Sequence, residues 1–252
     1  MQEPQSGGAQ KPVVAVTGAS RGIGHAIVRL FYREGWDVIT LARTPFSSVC
    51  PWAEGIVHHI TTDLADPASV QEAADELKAM LAGRPLTALV NNAGISPKGE
   101  DGARLGAMET SLQTLQTVQQ VNLIAPLLLC QQLLDELKAA KGSVVNVTSI
   151  AGFRVHPFAG AAYAVSKAAL SALTRELAHE LAEFDVRVNA VAPGEIETAI
   201  LSAGTEHVVE TQVPMKRLGR PEEVAEVVHF LASRHASYVT GSEIHINGGQ
   251  HI

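Results

Sequence analysis

Tyr163 and Lys167 are the residues whose types and spacing could do acid–base chemistry. They lie in Ala162-Tyr-Ala-Val-Ser-Lys-Ala-Ala-Leu-Ser-Ala-Leu-Thr-Arg-Glu-Leu-Ala178, where helix formers dominate and apolar residues recur every three or four positions. On that helix the two side chains are one turn apart on one face. A phenol titrates near about 10, too high for proton transfer at neutral pH, and an ammonium beside it favours the phenolate. Tyrosine and lysine four apart also occur on ordinary solvated helices, so the pair takes its meaning from the elements around it.

Those elements alternate. Val13–Thr17, Val38–Leu41, Ile56–Thr61, Thr87–Val90, Ser143–Thr148, Val186–Val191 and Gly241–Ile246 read as seven strands, short and β-branched, the first continuous as in a strand buried on both faces. Helices are expected from His25 to Glu34, from Pro67 to about Leu81, around Ser111–Gln120 and Val121–Ala139 with a break at Pro126, from about Ala162 to Ala182, and from Pro221 to about Ser233. The glycine-rich Ile95–Gly106 reads as a surface loop, and the mixed pattern near 195–215 as a helical lid. The pattern predicts one α/β domain over 12–252, a doubly wound Rossmann-type fold whose seven-stranded parallel sheet lies between helix layers, behind a flexible tail at 1–11.

The turn after the first strand, Gly18-Ala-Ser-Arg-Gly-Ile-Gly24, suits a dinucleotide. Gly18 can turn tightly, Gly22 lets the backbone approach a pyrophosphate, and Gly24 lets the next helix pack close with its amino end toward the phosphates. No Gly-Lys-Ser/Thr follows, which excludes an ATP-type phosphate loop. At the end of the second strand, where an acid would bind both ribose hydroxyls of NAD, stands Ala42-Arg43-Thr44. With Arg21, Arg43 could grip a 2′-phosphate, so NADP(H) is favoured and NAD(H) is the alternative.

The bulk properties exclude several classes. The chain has 252 residues, 46% hydrophobic and 18% charged, with net charge −7, which disfavours nucleic acid as a partner. Two cysteines, Cys50 and Cys130, give no disulfide framework, and no apolar run is long enough for a bilayer, so a cytoplasmic protein without a membrane partner is expected. The ten histidines show no metal-binding spacing, and no metal is expected. His156, between Ser149 and Tyr163, reads more readily as a surface-loop histidine than as a substrate contact.

Thr17-Gly-Ala-Ser-Arg-Gly-Ile-Gly24, Asn91-Asn-Ala-Gly94, Asn122, Ser149, Tyr163-x-x-x-Lys167 and Pro193-Gly194 occur in the order and approximate spacing of the compact short-chain dehydrogenase/reductases, which the chain resembles from about Val13 to Gly249. Through Val188–Gly194, Arg217–Glu223 and Tyr238–Gly249 it is most similar to 3-oxoacyl-acyl-carrier-protein reductases of fatty acid biosynthesis. The resemblance implies a catalytic set of Asn122, Ser149, Tyr163 and Lys167. Tyr163 would exchange the proton with the substrate oxygen, Ser149 would hydrogen-bond that oxygen, Lys167 would lower the phenol and hold the nicotinamide ribose, and Asn122 would fix a water beside Lys167. It also implies cofactor contacts from Gly18, Ser20, Arg21, Gly22, Ile23 and Gly24, from Arg43, from Asp63 and Leu64 near adenine, from Asn91, Ala93 and Gly94 along the cleft, from Tyr163 and Lys167, and from Pro193, Gly194, Ile196 and Thr198 over the nicotinamide.

A mainly apolar ketone, such as a 3-oxoacyl thioester, fits the cleft residues Ser149, Ala151, Phe153 and Tyr163, and Arg154 could serve one anionic group. The sparsely basic stretch around Lys138 and Lys141 leaves carrier-bound, coenzyme A-bound and free ketones open. A polyol or sugar dehydrogenase and a non-catalytic dinucleotide-binding sensor or scaffold are the alternatives. Leu127–Leu129, Leu170, Leu173 and Leu177 put apolar residues on more than one helix face, and with the resemblance this implies a homotetramer.

Overall fold

Strands β1 (Val13–Thr17), β2 (Asp37–Ala42), β3 (His58–Thr61), β4 (Ala88–Asn91), β5 (Ser143–Val147), β6 (Arg187–Pro193) and β7 (Glu243–Ile246) form one parallel sheet of seven strands in the order β3-β2-β1-β4-β5-β6-β7. The computed structural model describes residues 10–46, 50, 53, 57–198 and 204–252. Helices α1 (Gly22–Arg33), α2 (Pro67–Leu81), α3 (Leu112–Gln119), α4 (Ala125–Gln132), α5 (Leu134–Ala140), α6 (Ala161–Leu181), α7 (Thr205–Gln212) and α8 (Pro221–Ala232) connect and cover it. The expected fold class is the observed one.

Period-two alternation in a doubly covered strand sends successive side chains to opposite cores. Val14 and Val16 join Ile27 and Phe31 of α1 and Val228 and Leu231 of α8 on one face. Val13 and Ala15 join Leu77 of α2, Leu129 of α4 and Leu177 of α6 on the other. The chain leaves β1 for β2 and β3 on one side and returns to β4 on the other, so the strand order reverses between β1 and β4. The crevice outside the carboxyl ends of such a pair is where open α/β sheets bind ligands.

Three expectations gain detail. The helix expected over Val121–Ala139 is divided into a π-helical turn at Gln120–Ile124, a restart as α4 and a second break at Leu133. Pro126 has no N–H for the Asn122 carbonyl four residues earlier, and its ring crowds that carbonyl, so the helix widens there. Loop Ile95–Gly106 is ordered, with a 3₁₀ turn at Glu100–Gly102 and an antiparallel bridge between Lys98 and Arg104. Among the described residues of 195–215, helix is present as α7. Residues 1–9 of the expected tail, Ile56 of the third strand and residues 199–203 of the lid lie outside the described residues.

Candidate active site and dinucleotide cleft

The glycine turn is held to the end of β4. Gly18, at φ +68°, donates its N–H to the Leu41 carbonyl at 3.0 Å, and a Cβ there would lie 2.7 Å from Ala93 Cα. Thr17 Oγ1 accepts from the Asn92 and Ala93 N–H groups at 3.0 and 3.1 Å, while Asn92 Nδ2 donates to the Thr17 and Gly18 carbonyls, both at 3.0 Å. Gly24 packs so closely that a Cβ would fall 2.3 Å from the Gly18 oxygen, and one on Gly22, at φ +55°, would meet Thr198 Cγ2 at 3.3 Å. The cradle therefore has room only for backbone. At the start of α1, Arg21 provides no side-chain cap, so the first N–H groups of the helix are not satisfied by it.

Thr17 and Asn92 are the residues that sequence reasoning missed. Adjacent strand-end side chains point to opposite sides. That alternation sends Asn92 to the glycine turn and Asn91 inward, where Asn91 Nδ2 donates to Asn146 Oδ1 at 2.9 Å and Asn146 Nδ2 to Thr174 Oγ1 at 2.9 Å. The expectation that Asn91 lines the cleft is thus corrected for its side chain, which is buried. Asp63 is exposed, and its Oδ1 accepts from the Ala65 N–H at 3.0 Å as a turn former, with Leu64 buried beside it. Ile196 buries its side chain in the core beside Gly219, and Gly194, which follows Pro193, donates its N–H to the Ile246 carbonyl at 3.0 Å. Ser20 and Ile23 are partly buried, and Arg21 and Arg43 are exposed with no ion pair among the described residues.

Tyr163 and Lys167 start α6. Lys167 is 2% exposed, its Nζ donates to the Val147 carbonyl at the end of β5 at 2.6 Å, and it lies 5.7 Å from the Tyr163 ring centre. A Cβ on Gly94 would reach Nζ at 3.3 Å and Asn122 Oδ1 at 3.5 Å, so this glycine leaves room at the ammonium. Asn122 spends its side chain on protein: Oδ1 accepts from the Ile95 N–H at 2.9 Å, and Nδ2 donates to the Ile95 carbonyl at 3.0 Å and to Ser166 Oγ at 2.9 Å. Ser166 donates to the Tyr163 carbonyl at 2.7 Å, which ties this clamp to the tyrosine's own turn. Ser149 Oγ accepts from the Ala151 N–H at 3.1 Å, and its hydroxyl lies near enough to the Tyr163 phenol to act on its titration.

Burial pushes the Lys167 ammonium down to about 8. Burial is also the larger influence on the Tyr163 phenol, pushing it up, with the nearby Ser149 hydroxyl opposing. That direction is opposite to the one expected from the ammonium alone, because desolvation of the phenolate outweighs the favourable contacts.

His156 is not a loose surface histidine. Its Nε2 pairs with Glu195 Oε1, and the two side chains are 11% and 8% exposed. Arg154 is tied to the Gln250 carbonyl at 2.7 Å and reaches Gln212 Oε1 at 3.5 Å, which commits it to the protein rather than to an anionic substrate. Among the described residues no group of metal-ligating side chains is present, and no helix is long and apolar enough to cross a membrane.

The profile of the family described as enoyl-(acyl carrier protein) reductase matches residues 18–251. Protein FixR of Bradyrhizobium diazoefficiens is 56% identical over 95% of this chain and 87% of its own length, and the 3-oxoacyl-[acyl-carrier-protein] reductase FabG of Aquifex aeolicus is 39% identical over 95% and 97%. A short-chain dehydrogenase/reductase from Brucella ovis, solved with a partially ordered NAD, is 52% identical at a TM-score of 0.83, covering 94% of this chain and 100% of that one. A 3-oxoacyl-[acyl-carrier protein] reductase from Brucella melitensis with bound NAD is 32% identical at 0.85, covering 96% and 92%. The matched sequence, the seven-stranded sheet and the glycine turn place this chain in the short-chain dehydrogenase/reductase family of NAD(P)-dependent oxidoreductases acting on carbonyl and alcohol groups.

Proposed function

We propose that this protein is an NADP(H)-dependent oxidoreductase interconverting a ketone and a secondary alcohol, with Tyr163 as general acid and base. The observation that carries the reading is the meeting of the Tyr163 phenol, the Ser149 hydroxyl and the buried Lys167 ammonium at the carboxyl edge of the sheet. A binding-only sensor has no use for that set. The cleft suits a dinucleotide: Gly18 to Gly24 form a cradle that side chains would fill, Gly94 leaves Lys167 open to a ribose, and Thr198 stands over the turn. When bound, the dinucleotide supplies or takes the hydride.

In reduction Tyr163 gives its proton to the carbonyl oxygen, and in oxidation it takes the alcohol proton. Ser149 donates to the same oxygen as charge develops there. Lys167 favours the phenolate and holds the nicotinamide ribose. Both N–H donors of the Asn122 side chain are spent on Ile95 and Ser166, and its backbone carbonyl, which Pro126 leaves without an α-helical partner, is the acceptor proposed for a relay water.

Arg43, the missing acid at the end of β2, and Arg21 support NADP(H), with NAD(H) as the alternative. Asp63 and Leu64 are proposed beside adenine, and Pro193, Gly194 and Ile196 beside the nicotinamide. NADPH is expected to bind at least about tenfold tighter than NADH, a difference of about 1.4 kcal/mol, and Arg43→Ala to erase most of the gap. Equal affinities in the wild type by direct titration contradict this.

A 3-oxoacyl thioester or another mainly apolar ketone is the proposed substrate, supported by the names of the FabG relatives and by buried Ala151 beside exposed Phe153. A cytoplasmic role in fatty acid synthesis goes with that substrate. The part-buried His156–Glu195 pair favours a second reading, a hydroxylated ketone or polyol. Steady-state rates with NADPH on acetoacetyl thioesters, apolar cyclic ketones and free sugars decide between them: the thioesters are expected to lead, and a sugar far ahead of every other ketone overturns the choice. Exposed Ile124 after α3 and exposed Val165 on α6 support a homotetramer, which a monomer by light scattering at micromolar concentration contradicts.

A further inference from the structure

Loops following three adjacent strands, and the segment following a fourth, bring one polar side chain each to a single cluster: Lys98 after β4, His156 after β5, Glu195 after β6 and Gln250 after β7. The Phe158 N–H donates to His156 Nδ1 at 3.2 Å, which puts the proton of a neutral ring on Nε2, facing Glu195 Oε1. Gln250 Nε2 reaches the same oxygen at 3.5 Å. Lys98 Nζ donates to the Phe158 carbonyl at 2.6 Å, and its charge and that of Glu195 act on each other. Two acceptor oxygens of the cluster remain open. Glu195 Oε2 has no partner among the described residues, and Gln250 Oε1 is buried without one on a residue 1% exposed.

A carboxylate oxygen left open on a side chain only 8% exposed favours a ligand that brings a donor, and a site built around such a bond discriminates strongly against an analogue that lacks it. We propose that Glu195, positioned by His156, is the specificity-determining residue of this cleft, accepting at Oε2 a hydrogen bond from an N–H or O–H group that the substrate carries away from its reacting carbonyl. The donor is either an amide N–H of a pantetheine thioester or a hydroxyl of a hydroxylated ketone. The inference rests on the oxidoreductase reading and deepens it.

The test compares kcat/KM with NADPH for acetoacetyl-N-acetylcysteamine, a truncated pantetheine thioester with an amide N–H and no hydroxyl, a hydroxylated cyclic ketone and ethyl acetoacetate, which carries neither, in wild type, Glu195→Leu and Glu195→Gln. At least one donor-bearing substrate is expected to lose about tenfold or more in Glu195→Leu, while ethyl acetoacetate stays within about twofold. Selective loss with the thioester alone assigns the amide as the donor, and with the hydroxyketone alone the hydroxyl. Glu195→Gln preserves shape and keeps a neutral acceptor, so it shows a smaller selective loss even if the leucine variant folds poorly. Equal loss on all three substrates, or none on any, overturns the inference while leaving the oxidoreductase reading intact. No NADPH turnover by the wild type on any of the three overturns that reading and the inference together.

Discussion

Tyr163→Phe is expected to lower ketone reduction by about a hundred- to ten-thousand-fold, the range that a positioned general acid contributes, while NADPH binds within about twofold of wild type. The substitution removes one oxygen and keeps the ring in place, so the α6 turn fixed by Ser166 and Asn122 should survive. Ser149 remains to hydrogen-bond the substrate oxygen but has no proton of suitable acidity to release. Single-turnover NADPH oxidation in the variant is the check. A kcat within about threefold of wild type would remove Tyr163 from the chemistry.

The second large effect is expected at Lys167. Burial holds its ammonium down from the usual 10.5 to about 8, so its charge is lost as pH rises through that value. The free protein should therefore show kcat/KM for NADPH falling on the alkaline side with a midpoint near 8, and Lys167→Met should lose activity by about two orders of magnitude or more, as expected when a buried charge that favours the phenolate is removed. Stability moves the other way. Between about 8 and 10.5 the unfolded chain still holds the proton that the folded chain has released, so folding stability rises with pH across that window, and the cost of the buried ammonium is fully present below it. Denaturation measured against pH in wild type and Lys167→Met tests the sign. An identical slope in both proteins would show that Lys167 does not titrate there.

The fold was legible because the strand–glycine turn–helix signal is local and the β-branched runs are too short for helices. Tyr163 and Lys167 were legible for the same reason, since one helical turn sets their relation. What escaped depends on partners far apart in the chain. His156 and Glu195 are 39 residues apart and meet only because β5 and β6 are neighbours. The stitch of Asn92 to Thr17 crosses 75 residues and requires β4 beside β1. Pro126 marked a helix break, but the widened turn around Asn122 follows from which carbonyl loses its partner. The direction of the Tyr163 shift was missed because burial is set by the surrounding loops, which residue spacing does not reveal.

The central claim, that this cleft passes hydride between a nicotinamide and a carbonyl carbon under proton control by Tyr163, is tested most directly by mixing the wild-type protein with C4-deuterated NADPH and an acetoacetyl thioester and locating the label. The account predicts deuterium on the alcohol carbon of the product in the wild type and almost none over the same time in Tyr163→Phe. Product with no label from the cofactor, or label transferred equally fast by the variant, would contradict it.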